Sequence, residues 1–270
     1  MERRNLITSS SNPRLKNIRR LRRRGDGAFL VEGFRQVSCA LESRAQIRQL
    51  LLAPELWLGT RESELQRGGV EVLELSARAF ESISSHVRPD GVAAVVDRPP
   101  TGIGRLRLPA EPLVLVAEAV ERPGNLGTIV RSACAAGADA LVVADGRTDL
   151  FHPETVRGSV GTLFRLALAE STTGETIAWL KAHDLRIVVA TPDADRPCWD
   201  VDLRGPEAIV VGNERHGVAA AWLDAADETV SVPMPGPADS LNVAVAAGVV
   251  LFEAARQRLL AHTESLQPSA

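Results

Sequence analysis

No run of this chain approaches the ~20 consecutive apolar residues that a membrane-spanning helix needs, so no membrane span is expected. Cysteine is scarce: Cys39, Cys134 and Cys198 are odd in number and far apart. Without a C-x-x-C pair or a Cys/His cluster, neither a disulfide framework nor a zinc site is expected. Small buried thiols in a reducing cytoplasm is the reading that remains. No H-x-E or acidic triad is placed to hold another metal, so no metal is expected. The polar, Arg-rich N-terminus lacks the apolar stretch of a secretory signal. No G-x-G-x-x-G follows a strand, which argues against a dinucleotide-binding oxidoreductase. The pair Gly102-x-Gly104 lacks the third glycine and joins no strand to a helix. Lysine is nearly missing, with only Lys16 and Lys181.

What is present is unevenly distributed. The net charge of −3 taken alone argues against a nucleic-acid partner. Residues 1–44, however, carry eleven Lys/Arg against four Asp/Glu, a local +7, which leaves −10 for the other 226 residues. Such asymmetry points to a basic recognition surface. The 270 residues are enough for two domains, and 45% hydrophobic and 24% charged residues are ordinary for a globular chain.

The periodicity predicts a small α/β domain over residues 1–97. A helix opens at Asn12-Pro13 with Leu15, Ile18 and Leu21 on one face and Lys16, Arg19, Arg20, Arg22, Arg23 and Arg24 on the others. Strands are predicted at 28–31, 47–53, 70–75 and 92–96, with helices at 34–41, near 55–66 and from Ser76. Residues 98–111, rich in Pro and Gly, read as a linker. A second α/β domain is predicted over 112–262, with strands at 113–117, 140–144, 164–169, 187–190 and 208–211, helices at 125–136 and 153–160, and a long helix at 240–260. Its continuous apolar strands argue for a parallel sheet covered on both faces. Residues 263–270 read as a polar tail.

Three segments share one design, an apolar strand running into a turn with polar groups at the strand's C-terminal end. They are Glu121-Arg122-Pro123-Gly124-Asn125-Leu126-Gly127-Thr128-Ile129-Val130-Arg131, Gly212-Asn213-Glu214-Arg215-His216-Gly217, and Val232-Pro233-Met234-Pro235-Gly236-Pro237-Ala238-Asp239-Ser240-Leu241-Asn242. In α/β sheets ligands sit at such ends. In the first segment, Gly124 and Asn125 start a helix, where free N–H groups favour negative charge. Arg131 leans over Gly127, which leaves room for a substrate group against the guanidinium; a solvated helix arginine is the bland alternative. In the second, Gly212 allows close approach to the backbone, and Glu214 can accept a hydroxyl proton's hydrogen bond or hold Arg131. His216 reads as a turn residue. In the third, the prolines stiffen the loop, Asp239 or Ser240 caps the last helix, and the backbone around Val232, Met234 and Leu241 can offer a ligand main-chain hydrogen bonds and apolar contact.

In order and spacing these three segments resemble the motifs of the SpoU (TrmH-like) branch of the SPOUT RNA methyltransferases, over roughly residues 112–258. The resemblance implies a C-terminal domain with a parallel sheet and a trefoil knot, which binds S-adenosylmethionine in a bent shape and methylates a ribose 2′-hydroxyl of RNA. It implies Asn125, Arg131, Glu214, Ser240 and Asn242 as active-site residues, and Gly212, Val232, Met234 and Leu241 as cofactor-binding residues. It also implies a homodimer paired through the C-terminal domain. The segment Ser11-Asn12-Pro13-Arg14-Leu15-Lys16, followed by Phe29-Leu30-Val31-Glu32-Gly33, resembles the L30e-like substrate-binding domain of rRNA-modifying members. The RNA-binding residues are then Arg14, Lys16, Arg19, Arg20, Arg22, Arg23 and Arg24, in the cytoplasm, with 23S rRNA as the expected substrate. The alternatives are the same chemistry on tRNA, and a catalytically silent RNA-binding protein of the same fold. An arginine is effectively always protonated, so stabilising a developing alkoxide is a better role for Arg131 than removing a proton.

Overall fold

A computed structural model describes residues 6–21, 27–59, 65 and 69–265, excepting the side chains of residues 262, 264 and 265. They form two compact units. One comprises Met1–Pro100 with Phe151–Arg165, the other Thr101–Leu150 with Leu166–Ala270.

In the first unit, α1 (Pro13–Leu21) buries Leu15 and Ile18 and leaves Arg14, Lys16 and Arg20 exposed. Then come β1 (Ala28–Glu32), α2 (Phe34–Glu42), β2 (Ile47–Leu52), β3 (Glu71–Glu74), α3 (Ala77–Glu81) and β4 (Val92–Asp97). The sheet order is β1-β4-β2-β3, with β4 antiparallel to β1 and β2 and β3 parallel to β2. Ser76 caps α3 by accepting from the Ala79 N–H at 3.3 Å. The helix predicted near 55–66 is represented by a 3-10 turn at Pro54–Leu56; residues 60–64 lie outside the described residues.

The segment Phe151–Arg165, which the sequence reading places in the second domain, packs with the first unit. It carries α5 (Pro153–Ser159) and a 3-10 turn at Thr162–Phe164. Phe29 of β1 meets Phe151 at 4.7 Å and Phe164 at 6.1 Å between ring centroids. Gly161 has φ +89°, and a Cβ there would fall 2.8 Å from Cys39 Sγ, so helix α2 and this turn can approach only at glycine. Phe164 therefore belongs to this aromatic cluster rather than to the strand predicted from it, which begins at Ala167.

The second unit contains β5 (Leu113–Glu118), α4 (Pro123–Ala135), β6 (Ala140–Ala144), β7 (Ala167–Ser171), α6 (Thr173–Ala182), β8 (Arg186–Ala190), β9 (Glu207–Val211), α7 (Ala220–Ala225), β10 (Glu228–Val230) and α8 (Val243–Ser265). The sheet is parallel throughout, in the order β10-β8-β9-β5-β6-β7. Strands β5, β6 and β9 are buried along their whole length, as their continuous apolar runs require. Part of the predicted linker belongs here: Leu106 is buried in the core, with Ile103 and Leu108 packed against it.

The last helix starts at Val243, later than predicted. Asn242 caps it, its Oδ1 accepting from the Ala244 N–H at 2.9 Å, in place of Asp239 or Ser240. It also runs to Ser265, into the predicted tail.

Candidate active site

The sheet order reverses direction between β5 and β9, the switch point at which open α/β sheets bind ligands. Ala117 of β5 stands opposite Val211 of β9, so the turns that follow these strands emerge side by side.

The turn after β9 is built by Asn213. Its main chain bridges to Gly217, with Asn213 N–H donating to Gly217 C=O at 2.8 Å and Gly217 N–H returning to Asn213 C=O at 3.1 Å. Its side-chain Oδ1 accepts from the N–H groups of Arg215 and His216, and its Nδ2 donates to Ala119 C=O at 2.9 Å. Gly212 is required for a reason other than ligand approach. A Cβ there would lie 2.4 Å from the backbone of Gly217 and Val218, so the returning loop fills the space. His216 is an exposed turn residue.

Glu214 projects from this turn to the start of α4, a helix whose own N-cap residue, Arg122, offers no side-chain hydrogen bond. Its carboxylate accepts from the N–H groups of Glu121 at 3.0 Å and Arg122 at 3.2 Å, and from Asn125 Nδ2 at 2.8 Å. A carboxylate at a helix N-terminus is favoured by the free N–H groups there. Burial opposes its ionisation, but these hydrogen bonds outweigh burial and hold the Glu214 carboxyl below the usual carboxylate range. These donors, and not Arg131, are what Glu214 holds.

Asn125 in turn accepts at Oδ1 from Asn242 Nδ2, at 3.1 Å. Because Asn242 Oδ1 is committed to the α8 N-terminus, the direction of the whole relay is set: Asn242 donates to Asn125, and Asn125 donates to Glu214. One chain of side chains thus joins the three segments singled out in the sequence.

Next to this relay lies a cavity of about 200 Å³. Gly212, Val232, Met234 and Leu241 all line it, as do Glu214 and Ser240. Ala190, Thr191 and Pro192 line it too, and sequence reasoning missed them. Their readable signal was a Thr-Pro turn directly after the apolar strand β8. The walls are largely apolar, with backbone amides in the loop, a hydroxyl at Ser240 and a carboxylate at Glu214. That donor set suits a flat heterocycle attached to a cationic group.

Arg131 does not line the cavity. It lies on the exposed face of α4, six residues and thus about 9 Å of helix beyond Asn125. A second missed residue is Glu118, the acid that ends the apolar run of β5. It is buried and accepts from the Ala219 N–H at 3.1 Å. Burial pushes its carboxyl up; the Ala219 hydrogen bond opposes this, the Asp145 charge adds to it and the Arg147 charge opposes it.

In the first unit, Arg14 pairs with Glu71 at 3.2 Å. Arg19 donates to Ser10 C=O at 2.9 Å and to Ser82 Oγ at 3.3 Å. Lys16 and Arg20 are exposed on α1, without an ion pair among the described residues. Arg22, Arg23 and Arg24 lie outside the described residues.

A parallel sheet with this switch point, and three linked turns beside an apolar cavity, define a ligand-binding α/β domain. The chain belongs to the SpoU rRNA Methylase family, whose model matches residues 112–252; an MRM3-like substrate binding domain model matches residues 12–94. A 23S rRNA (uridine(2479)-2′-O)-methyltransferase of Streptomyces viridochromogenes is 36% identical over 88% of this chain and 85% of its own length. A 23S rRNA (guanosine(2553)-2′-O)-methyltransferase, RlmP, of Bacillus subtilis is 32% identical over 91% of this chain and 97% of its own. Among solved structures, the S. viridochromogenes SpoU methyltransferase AviRb in complex with the cofactor AdoMet superposes with a TM-score of 0.83. It is 33% identical, over 92% of this chain and 100% of that one.

Proposed function

We propose that this protein transfers a methyl group from S-adenosylmethionine to a ribose 2′-hydroxyl of 23S rRNA. The observation that carries this reading is the Asn242–Asn125–Glu214 relay standing beside the cavity of Gly212, Val232, Met234 and Leu241. Incubating the full chain with 23S rRNA and methyl-labelled S-adenosylmethionine, then mapping 2′-O-methyl sites, tests it. One modified nucleotide is expected; label at a base, or none in 23S rRNA, overturns it.

The cofactor supplies, when bound, an electrophilic methyl carbon on a sulfonium centre. Val232, Met234 and Leu241 would hold its adenine, by apolar contact and through the loop backbone. Glu214 keeps α4 capped and Asn125 fixed, while Ser240 and Asn242 position the reacting groups in line, which lowers the entropic part of the barrier. Arg131 would stabilise the negative charge that develops on the 2′-oxygen as its proton passes to solvent water.

Because Arg131 lies away from the cavity of its own chain, its partner site is that of a second copy. Support comes from α8, which packs against α4 and leaves Val245, Val249 and Phe252 exposed by 51%, 36% and 52%. Spaced at i, i+4 and i+7, they form one apolar stripe, and an isologous pairing buries it. The knot that the family resemblance implies belongs to the same proposal: the stretch from Val230 to Val243 and the turn after β9 line one cavity. The first unit holds the RNA, and the cytoplasm is where that RNA is found.

A further inference from the structure

We propose that a second cavity, in the first unit, takes one unpaired guanine of the substrate RNA and reads it through Glu154 and His152. This rests on the RNA-methylating reading above. The cavity measures about 570 Å³, within the range of roughly 300–1,000 Å³ typical of small-molecule sites and ample for one nucleotide. Lys16, Arg19 and Arg20 of α1 form one part of its lining, with Ser85 beside them; His152 and Glu154, from the start of α5, form another. His152 and Glu154 fall outside the residues matched by the substrate-binding family model.

Phosphate binding explains the three cations but not the acid that shares their cavity. A carboxylate in the same cavity as Lys16, Arg19 and Arg20 would weaken a site meant for phosphate alone. It suits a ligand that presents N–H donors as well as negative charge, and a nucleotide does so when its base is unpaired. Guanine alone among the four bases places two N–H donors side by side, at N1 and N2, matching the two oxygens of one carboxylate. Glu154 makes no ion pair among the described residues.

The other groups fit the same ligand. His152 Nδ1 accepts the Glu154 N–H at 3.2 Å, which leaves the ring proton on Nε2 as a donor for a base carbonyl. Arg19 is held by Ser10 and Ser82, and Ser85 is tied to Glu32 at 2.8 Å, so these parts of the lining are fixed before RNA arrives. Lys16 and Arg20 remain for the flanking phosphates. Sequence-specific RNA recognition commonly takes this form, with an unstacked base read on its edge.

The test compares binding of the full chain to a short oligouridine carrying one central guanosine and to its twin carrying inosine, which lacks only the N2 amino group. Fluorescence anisotropy is expected to give about tenfold tighter binding of the guanosine oligomer, within the range for one bidentate base contact. E154Q should erase the preference, and H152A should weaken both oligomers alike. Thermal melting and S-adenosylmethionine binding by calorimetry confirm that each variant is folded. Equal affinity for the two oligomers, or a preference that survives E154Q, overturns the proposal. On 23S rRNA, E154Q should raise KM and leave kcat unchanged. A chain that methylates 23S rRNA but treats guanosine and inosine alike loses only this pocket; a chain that methylates no rRNA loses the enzymatic reading, while the oligomer comparison still decides the pocket.

Discussion

Glu214 accepts three N–H groups and is held ionised, which makes it an organiser of the site rather than a proton acceptor. Glu214→Gln removes the charge at the α4 N-terminus and places an amide donor against N–H groups, a loss of about 1–2 kcal/mol. Urea unfolding measures it, and methylation should fall with it. Arg131 is the opposite case. It is exposed and unpaired among the described residues, so Arg131→Ala should leave the melting temperature nearly unchanged, since surface substitutions stay within about 0.5 kcal/mol. Methylation should drop by about 10²–10³-fold, the usual cost of one transition-state donor, with calorimetry showing unchanged cofactor affinity. Near-normal turnover would remove Arg131 from the mechanism. Gly212→Ala forces a Cβ to 2.4 Å from backbone atoms that cannot rotate away. A loss of at least about 2–3 kcal/mol is expected, read as a lower urea midpoint.

Strands β8, β9 and β10 are stitched by charge. Arg186 reaches Glu207 at 3.1 Å and Glu228 at 3.2 Å, and Arg196 reaches Glu228 at 2.7 Å. Glu207 is buried, and its Oε2 has no hydrogen-bond partner among the described residues. Burial pushes its carboxyl up to about 7, against the opposing charges of Arg186 and Arg258. The unfolded chain therefore releases this proton first, near pH 4.5, and the folded chain only near 7. Between those values the unfolded state binds fewer protons, so stability falls as pH rises, and above 7 the loss is complete. Urea unfolding across this window should show that fall in the natural chain and a flatter profile in Glu207→Gln. On α1, Lys16→Ala with Arg20→Ala should reduce the salt dependence of RNA binding by roughly 0.7 units of slope per lost single-strand phosphate contact; an unchanged slope would make both residues bystanders. At this scale much was legible. The buried strands β5, β6 and β9 read as unbroken apolar runs, and the three site turns follow from where those runs stop. Helix α6 was missed although Thr172 and Glu175 form a capping box, because Thr, Gly and Ala blur its apolar stripe. Asn213 and the Asn242–Asn125 contact were invisible for another reason: their partners lie 94 and 117 residues away, and no local pattern encodes such a pairing.

For the whole molecule, the α8 stripe predicts a dimer by light scattering. Val249→Asp with Phe252→Asp should give a monomer that is folded by circular dichroism and inactive on rRNA. A stable natural monomer with full activity would contradict both the pairing and the shared site. The two units divide at Pro100/Thr101, inside the predicted linker, but the excursion of Phe151–Arg165 to the first unit was not legible, since its few apolar residues do not announce which of two cores will take them. That excursion also bears on how the protein is made. The N-terminal unit is incomplete when residue 100 is added to the chain, because the rings that pack on Phe29 lie 51 and 64 residues further along. At about 5–20 residues per second, one aromatic face of the nascent chain stays open for some seconds. During that interval the growing protein offers a chaperone a surface that the finished one does not have.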